Sequence, residues 1–230
     1  MNDTVWQVAT LALPLIFAIV FHEVAHGLAA RRLGDNTATE LGRLSLNPLR
    51  HVDLFGTLIL PGMLALAHLP VFGWAKPVPV DARRLRNPRR DMALVGAAGP
   101  AMNLLMGLLA AVLIGLLARW LGPGHRPGLA TAFVMTNLAV FLSINLFLAM
   151  FNLIPLPPFD GSHVVEGLLP DGLARRYARF RRVGMLLPIA LIVLVPRLVP
   201  GFDPVGMVID PPVDWLLRHY LALAEWIARA

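Results

Sequence analysis

Long apolar blocks are the feature that most constrains how this chain can fold. The first block runs from about residue 5 to 30, and others cover about residues 54–72, 92–121, 129–153 and 183–199. About 20 apolar residues are enough for a helix to cross the hydrocarbon core of a bilayer. Hydrophobic residues make up 57% of the chain and charged residues 15%, against about 45–50% and 25% in a typical soluble domain. The sequence therefore predicts an integral membrane protein.

The order of these blocks predicts an all-α integral membrane fold, a polytopic helical bundle of about five to six membrane segments. Block 54–72 has Pro61-Gly62 at its centre and basic loops on both sides. This pattern favours a re-entrant segment that returns to the same membrane face. The stretch GWAKPVPVD that follows is rich in proline and valine and predicts a short extended or β element on the cytoplasmic side. In the last 20 residues, Trp215 and Trp226 stand among charges with apolar residues at helical spacing, which predicts an amphipathic interfacial helix or a marginal span.

Positive charge is concentrated in the loops at 31–50, 76–90 and 175–182. The chain has 20 Lys and Arg residues against 14 Asp and Glu, a net charge of +6. Because these loops flank apolar segments, their charge is typical of the cytoplasmic face of a membrane protein. We therefore predict the lipid bilayer, and not nucleic acid, as the partner of the basic residues. The sequence has no cysteine, which excludes disulfides and thiolate metal ligands.

A polar motif, HEVAH, interrupts the first apolar block at His22, Glu23 and His26. Residues i and i+4 of a helix lie on the same face, so both imidazoles can reach one metal ion. Glu23 lies one position round the helix, where it can contact a water beside the metal without being a ligand. A glutamate at membrane depth costs about 3 kcal/mol, so such a residue usually has a function.

A catalytic zinc site usually has three protein ligands, so a third is needed. The acidic candidates in or near apolar segments are Asp53, Asp91 and Asp160. Asp160 follows three prolines in residues 155–158, which end a helix close to a membrane segment. Irregular backbone at membrane depth persists only where it lines protein or a wet cavity. Asp160 is therefore the favoured candidate, whereas Asp53 and Asp91 stand beside basic residues and are typical of surface charges.

Other interpretations of the histidines remain at this point. They could be polar residues near a helix end that snorkel to water, although His22 lies about 14 Å inside the edge marked by Arg31. A metal transporter would use them to bind its cargo, but it should also show polar residues along a path through the blocks at 92–121 and 183–199. A catalytically inactive scaffold is the third alternative. Among the remaining histidines, His163 is the one close to Asp160.

Three motifs in this order resemble the site-2 protease family of intramembrane zinc metalloproteases. They are HEVAHG on the first block, AGPAMN on a middle block and NLIPLPPFDGSH after a later one. The resemblance covers about residues 10–165. FGWAKPVPV is similar to a bacterial subgroup of short, stand-alone members, which implies the bacterial inner membrane. The basic loops predict an active site near its cytoplasmic side. We therefore expect one membrane-embedded metalloprotease domain, with a catalytic core at about 5–165 and the C-terminal membrane segment and amphipathic helix at 183–230.

The resemblance also implies roles for single residues. His22, His26 and Asp160 would bind one Zn²⁺, and Glu23 would be the catalytic base. Phe159 stands where the family usually has leucine. Asn152 matches an asparagine that is expected to bind substrate or stabilise the oxyanion.

Two further predictions concern the substrate, a transmembrane protein cleaved within the bilayer. Asn103 matches a second recurrent asparagine and is expected to bind substrate or to form an interhelical hydrogen bond. A substrate helix must unwind before its peptide bonds can be attacked. We therefore predict that Lys76, Pro77 and Val78 offer a strand edge for the unwound segment. The alternative is a plain cytoplasmic linker.

Overall fold

The computed structural model describes residues 3–66, 74–122, 124, 127–179, 184, 190–199 and 201–230, and all regular secondary structure within these residues is helical. The α-helices are α1 (Asp3–Arg32), α2 (Thr37–Glu40), α3 (Leu60–Leu66), α4 (Pro88–Leu121), α5 (Leu129–Asn152), α6 (Asp160–Leu168), α7 (Asp171–Tyr177), α8 (Val195–Leu198) and α9 (Pro204–Arg229). Short 3₁₀ segments cover Pro48–His51 and Ala82–Arg84, and π-helical segments cover Leu54–Ile59 and Ala190–Leu194.

Three helices within the described residues are long and apolar enough to cross a membrane. They are α1 from Val5, α4 and α5, with 28, 34 and 24 residues respectively. At 1.5 Å per residue, even α5 is about 36 Å long, more than the hydrocarbon thickness. These helices agree with the predicted apolar blocks and with an integral membrane protein of all-α class.

The predicted total of five to six membrane segments stays a prediction. In block 54–72, the π-helical segment leads into α3, which continues through Pro61-Gly62 to Leu66. Whether this block returns to the same face depends on residues 67–73, which lie outside the described residues. Most of block 183–199 also lies outside them, and only its last part is described as helical. Residues 74–81 contain no helix and no strand.

The described chain divides into two compact units. The first unit consists of Met1–Ala18, Pro100–Asn152 and Gly206–Ala230. Its core is formed by small and aliphatic residues of α4 and α5, against which one face of α9 packs through Tyr220. Gly115 of α4 has no side chain at the point where the backbone of Ala224 approaches, so α4 and α9 pack closely.

The second unit consists of Ile19–Gly99 and Leu153–Val205. It contains the C-terminal half of α1, the loops that follow α1, the N-terminal part of α4, and α6 and α7. The backbone of α6 packs against α4 at Gly167, where a Cβ would meet the Cβ of Ala93. Arg89 at the start of α4 pairs with Asp171 of α7. The start of α6 also lies close to α4, because a Cβ at Gly96 would be 3.0 Å from the carbonyl oxygen of Asp160.

Candidate metal centre

The two histidines of α1 lie one turn apart and direct their rings to one point. The Nε2 atoms of His22 and His26 are 3.0 Å apart. The two residues are only 7% and 8% exposed, respectively. The i,i+4 spacing therefore has the consequence predicted from the sequence, because both imidazoles face the same small volume.

Asp160 completes the cluster from a distant part of the chain. Its Oδ2 atom lies 3.1 Å from His22 Nε2 and 3.3 Å from His26 Nε2. After α5 ends, the proline-rich chain turns, and α6 begins at Asp160. Gly161 allows this turn to be tight, because a Cβ there would collide with the carbonyl of Leu153. The predicted third ligand is therefore brought to both histidines.

The hydrogen bond of His26 identifies the tautomer of its ring. Its Nδ1 atom lies 2.7 Å from the carbonyl oxygen of Val95. A carbonyl oxygen can only accept a hydrogen bond, so Nδ1 must carry the proton. In the neutral ring, Nε2 then presents a lone pair to His22 and Asp160. This arrangement, a histidine fixed by a bond from its other nitrogen, is typical of metal ligands.

The geometry of the three ligand atoms fits a tetrahedral divalent ion. Bonds of about 2.0–2.1 Å to zinc in tetrahedral geometry place two ligand atoms about 3.3 Å apart. The three separations here are 3.0, 3.1 and 3.3 Å. Moreover, Asp160 Oδ2 is buried without a hydrogen-bond partner. Acceptor atoms that face one another need a cation between them, and the donor set of two imidazoles and one carboxylate suits zinc.

This cluster is the one group of at least three His, Cys, Asp or Glu side chains suited to a metal ion in the part of the chain that the structure describes. Asp53 and Asp91 are not in it. Asp53 accepts a hydrogen bond from the N–H of Gly56, and Asp91 accepts one from the N–H of Asn87. The prediction that Asp91 is a surface charge is wrong, since it is only 4% exposed and stabilises the start of α4.

Two glycines of α4 make room for the site, and sequence analysis missed them. A Cβ at Gly99 would lie 2.5 Å from His26 Nε2 and 2.6 Å from His22 Cε1. A Cβ at Gly96 would lie 3.0 Å from the carbonyl oxygen of Asp160. Both glycines therefore let ligand residues pack directly against the helix backbone. The available signal was the sequence GAAG, since small residues at this spacing allow close approach of membrane helices.

Glu23 is held beside the cluster by the backbone of a distant segment. Its Oε2 atom accepts a hydrogen bond of 2.7 Å from the N–H of Val78. Glu23 lies one position along α1 from His22 and is not one of the three clustered ligands. This placement agrees with a group that contacts a reacting water without binding the metal.

The predicted segment at Lys76, Pro77 and Val78 has contacts within the chain. The N–H of Lys76 donates to the carbonyl of His51. The guanidinium of Arg43 donates to the carbonyls of Lys76 and Pro77. Val78 is bonded to Glu23, as described above. A role of these three residues in substrate binding stays a prediction.

The two asparagines belong to the first unit. Asn103 is fully buried, and its Nδ2 donates to the carbonyl of Ala18 at 3.3 Å and to Asn145 Oδ1 at 2.8 Å. Asn152 Nδ2 donates to the carbonyl of Leu148 within α5. The bonds of Asn103 join α4 to α1 and α5, in line with the interhelical hydrogen bond that was one of its two predicted roles. Roles of Asn103 and Asn152 towards substrate stay predictions.

Comparisons with known proteins agree with this site. The model of the family described as "Peptidase family M50" matches residues 10–123 and 125–195. A Bacillus subtilis (strain 168) protein named "Putative zinc metalloprotease YwhC" is 36% identical over 207 residues, which are 85% of this chain and 88% of the relative.

More distant relatives have similar names. "Putative zinc metalloprotease Rip2" of Mycolicibacterium smegmatis (strain ATCC 700084 / mc(2)155) is 28% identical, over 77% of this chain and 64% of the relative. The protein of the same name from Mycobacterium tuberculosis (strain ATCC 25618 / H37Rv) is also 28% identical, over 95% of this chain and 84% of the relative. No solved structure matches the chain significantly.

Proposed function

Because this chain belongs to peptidase family M50, we propose that it is an intramembrane protease, which hydrolyses peptide bonds in the transmembrane segments of other membrane proteins. Membership of the family confirms the predicted enzyme class, a zinc metalloprotease, and the predicted cofactor, zinc. The proposal goes further, because it concerns where the enzyme acts and on what kind of substrate.

One observation carries the proposal: two of the three residues of the metal cluster lie on a helix of membrane-spanning length. His22 and His26 are on α1, which is apolar enough to cross a bilayer. They lie about 7–14 Å before Arg31, measured at 1.5 Å per residue along the helix. A protease site at that depth acts most readily on a peptide bond that is itself within or near the membrane.

The residues of the site divide the work of peptide hydrolysis between them. His22, His26 and Asp160 would hold the zinc ion, which polarises the scissile carbonyl and makes a water molecule more acidic. Glu23 would accept the proton of the attacking water and deliver it to the leaving amine. Asn152 would donate a hydrogen bond to the developing oxyanion. Removing one such donor typically lowers the catalytic rate about 10²–10³-fold.

Binding of the substrate requires that its helix unwinds near the site. If residues 76–78 bind the unwound segment by strand addition, they must use the edge opposite to the one on which the N–H groups of Lys76 and Val78 are bonded. On that edge Pro77 and Pro79 have carbonyls but no N–H groups, and the carbonyl of Pro77 already accepts a hydrogen bond from Arg43. The proposed recognition would therefore rely on acceptors of the segment and on side chains. Asn103 is fully buried, so we propose that it affects substrate binding indirectly, by holding the helices of the first unit together.

The proposed location follows from the charges. The basic loops at 31–50, 76–90 and 175–182 support a location of the C-terminal end of α1, and with it the metal cluster, near the cytoplasmic face of the bacterial inner membrane. The lipid bilayer and a transmembrane protein substrate are thus the proposed partners.

The proposal is tested by cleavage of a transmembrane test substrate by the purified protein in proteoliposomes, with zinc content measured in the same samples. We expect one zinc per chain and cleavage by the wild type. Glu23→Gln should keep the zinc and lose cleavage, whereas the control Glu225→Gln, at an exposed side chain of α9, should keep both. Cleavage of soluble peptides but of no membrane-embedded substrate would refute the intramembrane role.

A further inference from the structure

The segment of residues 74–81, called the clasp here, contacts the site through its backbone. The N–H groups of Trp74, Lys76 and Val78 all donate hydrogen bonds. Their acceptors are the carbonyl of Gly56 at 3.1 Å, the carbonyl of His51 at 2.8 Å and the Oε2 atom of Glu23 at 2.7 Å. Alternate N–H groups of an extended chain point to the same side. One edge of the clasp is therefore used by the protein itself, and its last bond on this edge is to Glu23.

Several further bonds hold the clasp in place. At its C-terminal end the N–H of Asp81 donates to the buried carboxylate of Asp35 at 2.7 Å. In its middle, Arg43 donates to the carbonyl of Lys76 at 2.9 Å. Prolines on both sides of Val78 also restrict the backbone to extended conformations. The N–H of Val78 is thus directed by a segment that is fixed at both ends.

The side chain of Val78 places the clasp directly on α1. Val78 is 6% exposed, and a Cβ at Gly27 would lie 2.8 Å from its Cγ1 atom. Gly27 follows His26 immediately in the sequence. The missing side chain at Gly27 therefore allows the clasp to reach the turn of α1 that carries Glu23 and the two histidines.

From these contacts we infer that Val78 is a positioning residue for the reaction, acting through its backbone N–H on Glu23. Within the described residues, the bond from Val78 is the one hydrogen bond that the Glu23 carboxylate makes. It fixes one oxygen of the carboxylate and so leaves the other available to accept a proton from water. This inference rests on the proposed role of Glu23 as the base.

A positioning role of the Val78 N–H predicts an effect on the reaction that a purely structural role of the clasp does not. Loss of this one N–H should misorient Glu23 and lower kcat, while the zinc ligands and the substrate-binding surface stay as they are. A packing role of Val78 would instead depend on the isopropyl group. The two roles are separable because the N–H and the side chain can be removed independently.

The test compares Val78→Pro, which lacks the N–H, with Val78→Ala, which keeps it, in the proteoliposome cleavage assay. Val78→Pro should lower kcat about tenfold or more, with KM within twofold of the wild type and one zinc per chain retained. Val78→Ala keeps the N–H and should lower kcat clearly less than Val78→Pro does. The inference would be overturned if Val78→Pro and Val78→Ala had the same kcat, whether both were as active as the wild type or both were impaired.

A second variant covers the case in which Val78→Pro fails to fold or loses zinc. Replacing the amide between Pro77 and Val78 by an ester removes the N–H and keeps the valine side chain. A wild-type kcat for this ester variant would overturn the inference, whereas a tenfold lower kcat with bound zinc would support it. Suppose that the wild type and the ester variant cleave the substrate and that Glu23→Gln does not. This result would reject only the positioning role of Val78 and would leave the proposed function intact. Failure of the wild type to cleave would reject the proposed function and this inference with it.

Discussion

Two buried polar clusters on apolar helices differ in how their polar atoms are paired. In the first unit, Asn103 Nδ2 donates to Asn145 Oδ1, and Asn145 Nδ2 donates to the carbonyl of Phe141, so donors meet acceptors. In the second unit, Nδ1 of His26 donates to Val95, so in the neutral ring Nε2 faces Asp160 Oδ2 and two acceptors meet. Both clusters are buried, and burial of polar groups in a membrane helix is costly in either case.

The difference shows which buried polar groups require a ligand. An amide pair satisfies itself and serves helix packing. A cluster whose acceptor atoms converge is satisfied when a cation binds between them, and imidazole and carboxylate ligands suit a divalent metal. Convergent acceptors, and not polarity alone, therefore distinguish the functional cluster from the structural one. The predictions that follow test this distinction.

The largest effect is expected from Asp160→Ala. Removing the carboxylate leaves two imidazoles and no anionic ligand, so we expect zinc loss and at least about a 10³-fold fall in cleavage rate. Zinc content and cleavage are measured on the same preparation. The matched control is Asp171→Ala, whose carboxylate is exposed and pairs with Arg89. Full zinc occupancy in Asp160→Ala would show that Asp160 is not a ligand.

The second-largest effect is expected from Gly99→Ala. The added Cβ would lie 2.5 Å from His26 Nε2, so the ring must move. We expect zinc affinity to fall about 10–100-fold, as for other changes that misorient a metal ligand. Competition with a chelator measures the affinity. Gly172→Ala is the control because no atom lies within 4 Å of its Cβ position. Equal affinities in the two variants would contradict the close packing of α4 on the histidines.

Asn145→Ala tests the structural cluster. It removes the acceptor of Asn103 Nδ2 and a buried interhelical bond. We expect a loss of about 1 kcal/mol in the free energy of unfolding, with zinc affinity unchanged. Unfolding in mixed micelles, followed by circular dichroism, gives the first quantity. A change in zinc affinity instead of stability would mean that the two clusters do not have the separate roles assigned here.

The smallest effect concerns Asp35, a buried carboxylate that is satisfied by donors. Burial raises the pKa of Asp35, but hydrogen bonds from the hydroxyl and N–H of Thr37 and from the N–H of Asp81 outweigh it, so the pKa lies below the usual value. A lowered folded-state pKa adds stability above the unfolded-state pKa of about 3.9. This stability is lost as the pH falls through the folded-state value.

The check compares thermal unfolding of the wild type and Asp35→Asn between pH 7 and pH 3. The wild type should be the more stable at pH 7, and the difference should shrink on acidification. A difference that does not depend on pH would contradict the assignment of Asp35 as an ionised acceptor.

Local spacing explains what could be predicted from the sequence. Both histidines lie on one helix, so their i,i+4 spacing was sufficient to bring them together. The apolar blocks predicted α1, α4 and α5 to within a few residues because a membrane-length helix is a long and uniform signal. Asp160 was found because prolines end a helix just before it.

The remaining contacts of the site are not local, and spacing does not predict them. Val95 lies 69 residues from His26, and Val78 lies 55 residues from Glu23. Val95 accepts and Val78 donates through the backbone, so the side chains of these two residues do not indicate their contacts with the site. The importance of Gly99 likewise depends on which helix packs against it. Short helices such as α2 and α7 were missed because fewer than eight residues give no clear periodicity.

The central claim is that His22, His26 and Asp160 jointly bind one zinc ion, and zinc K-edge X-ray absorption of the protein tests it directly. We predict a first shell with two imidazole nitrogens and at least one oxygen at about 2.0–2.1 Å. In His26→Ala the imidazole contribution should fall by one. A wild-type spectrum that shows fewer than two imidazole ligands would contradict the account. So would a spectrum of His26→Ala that is identical to that of the wild type.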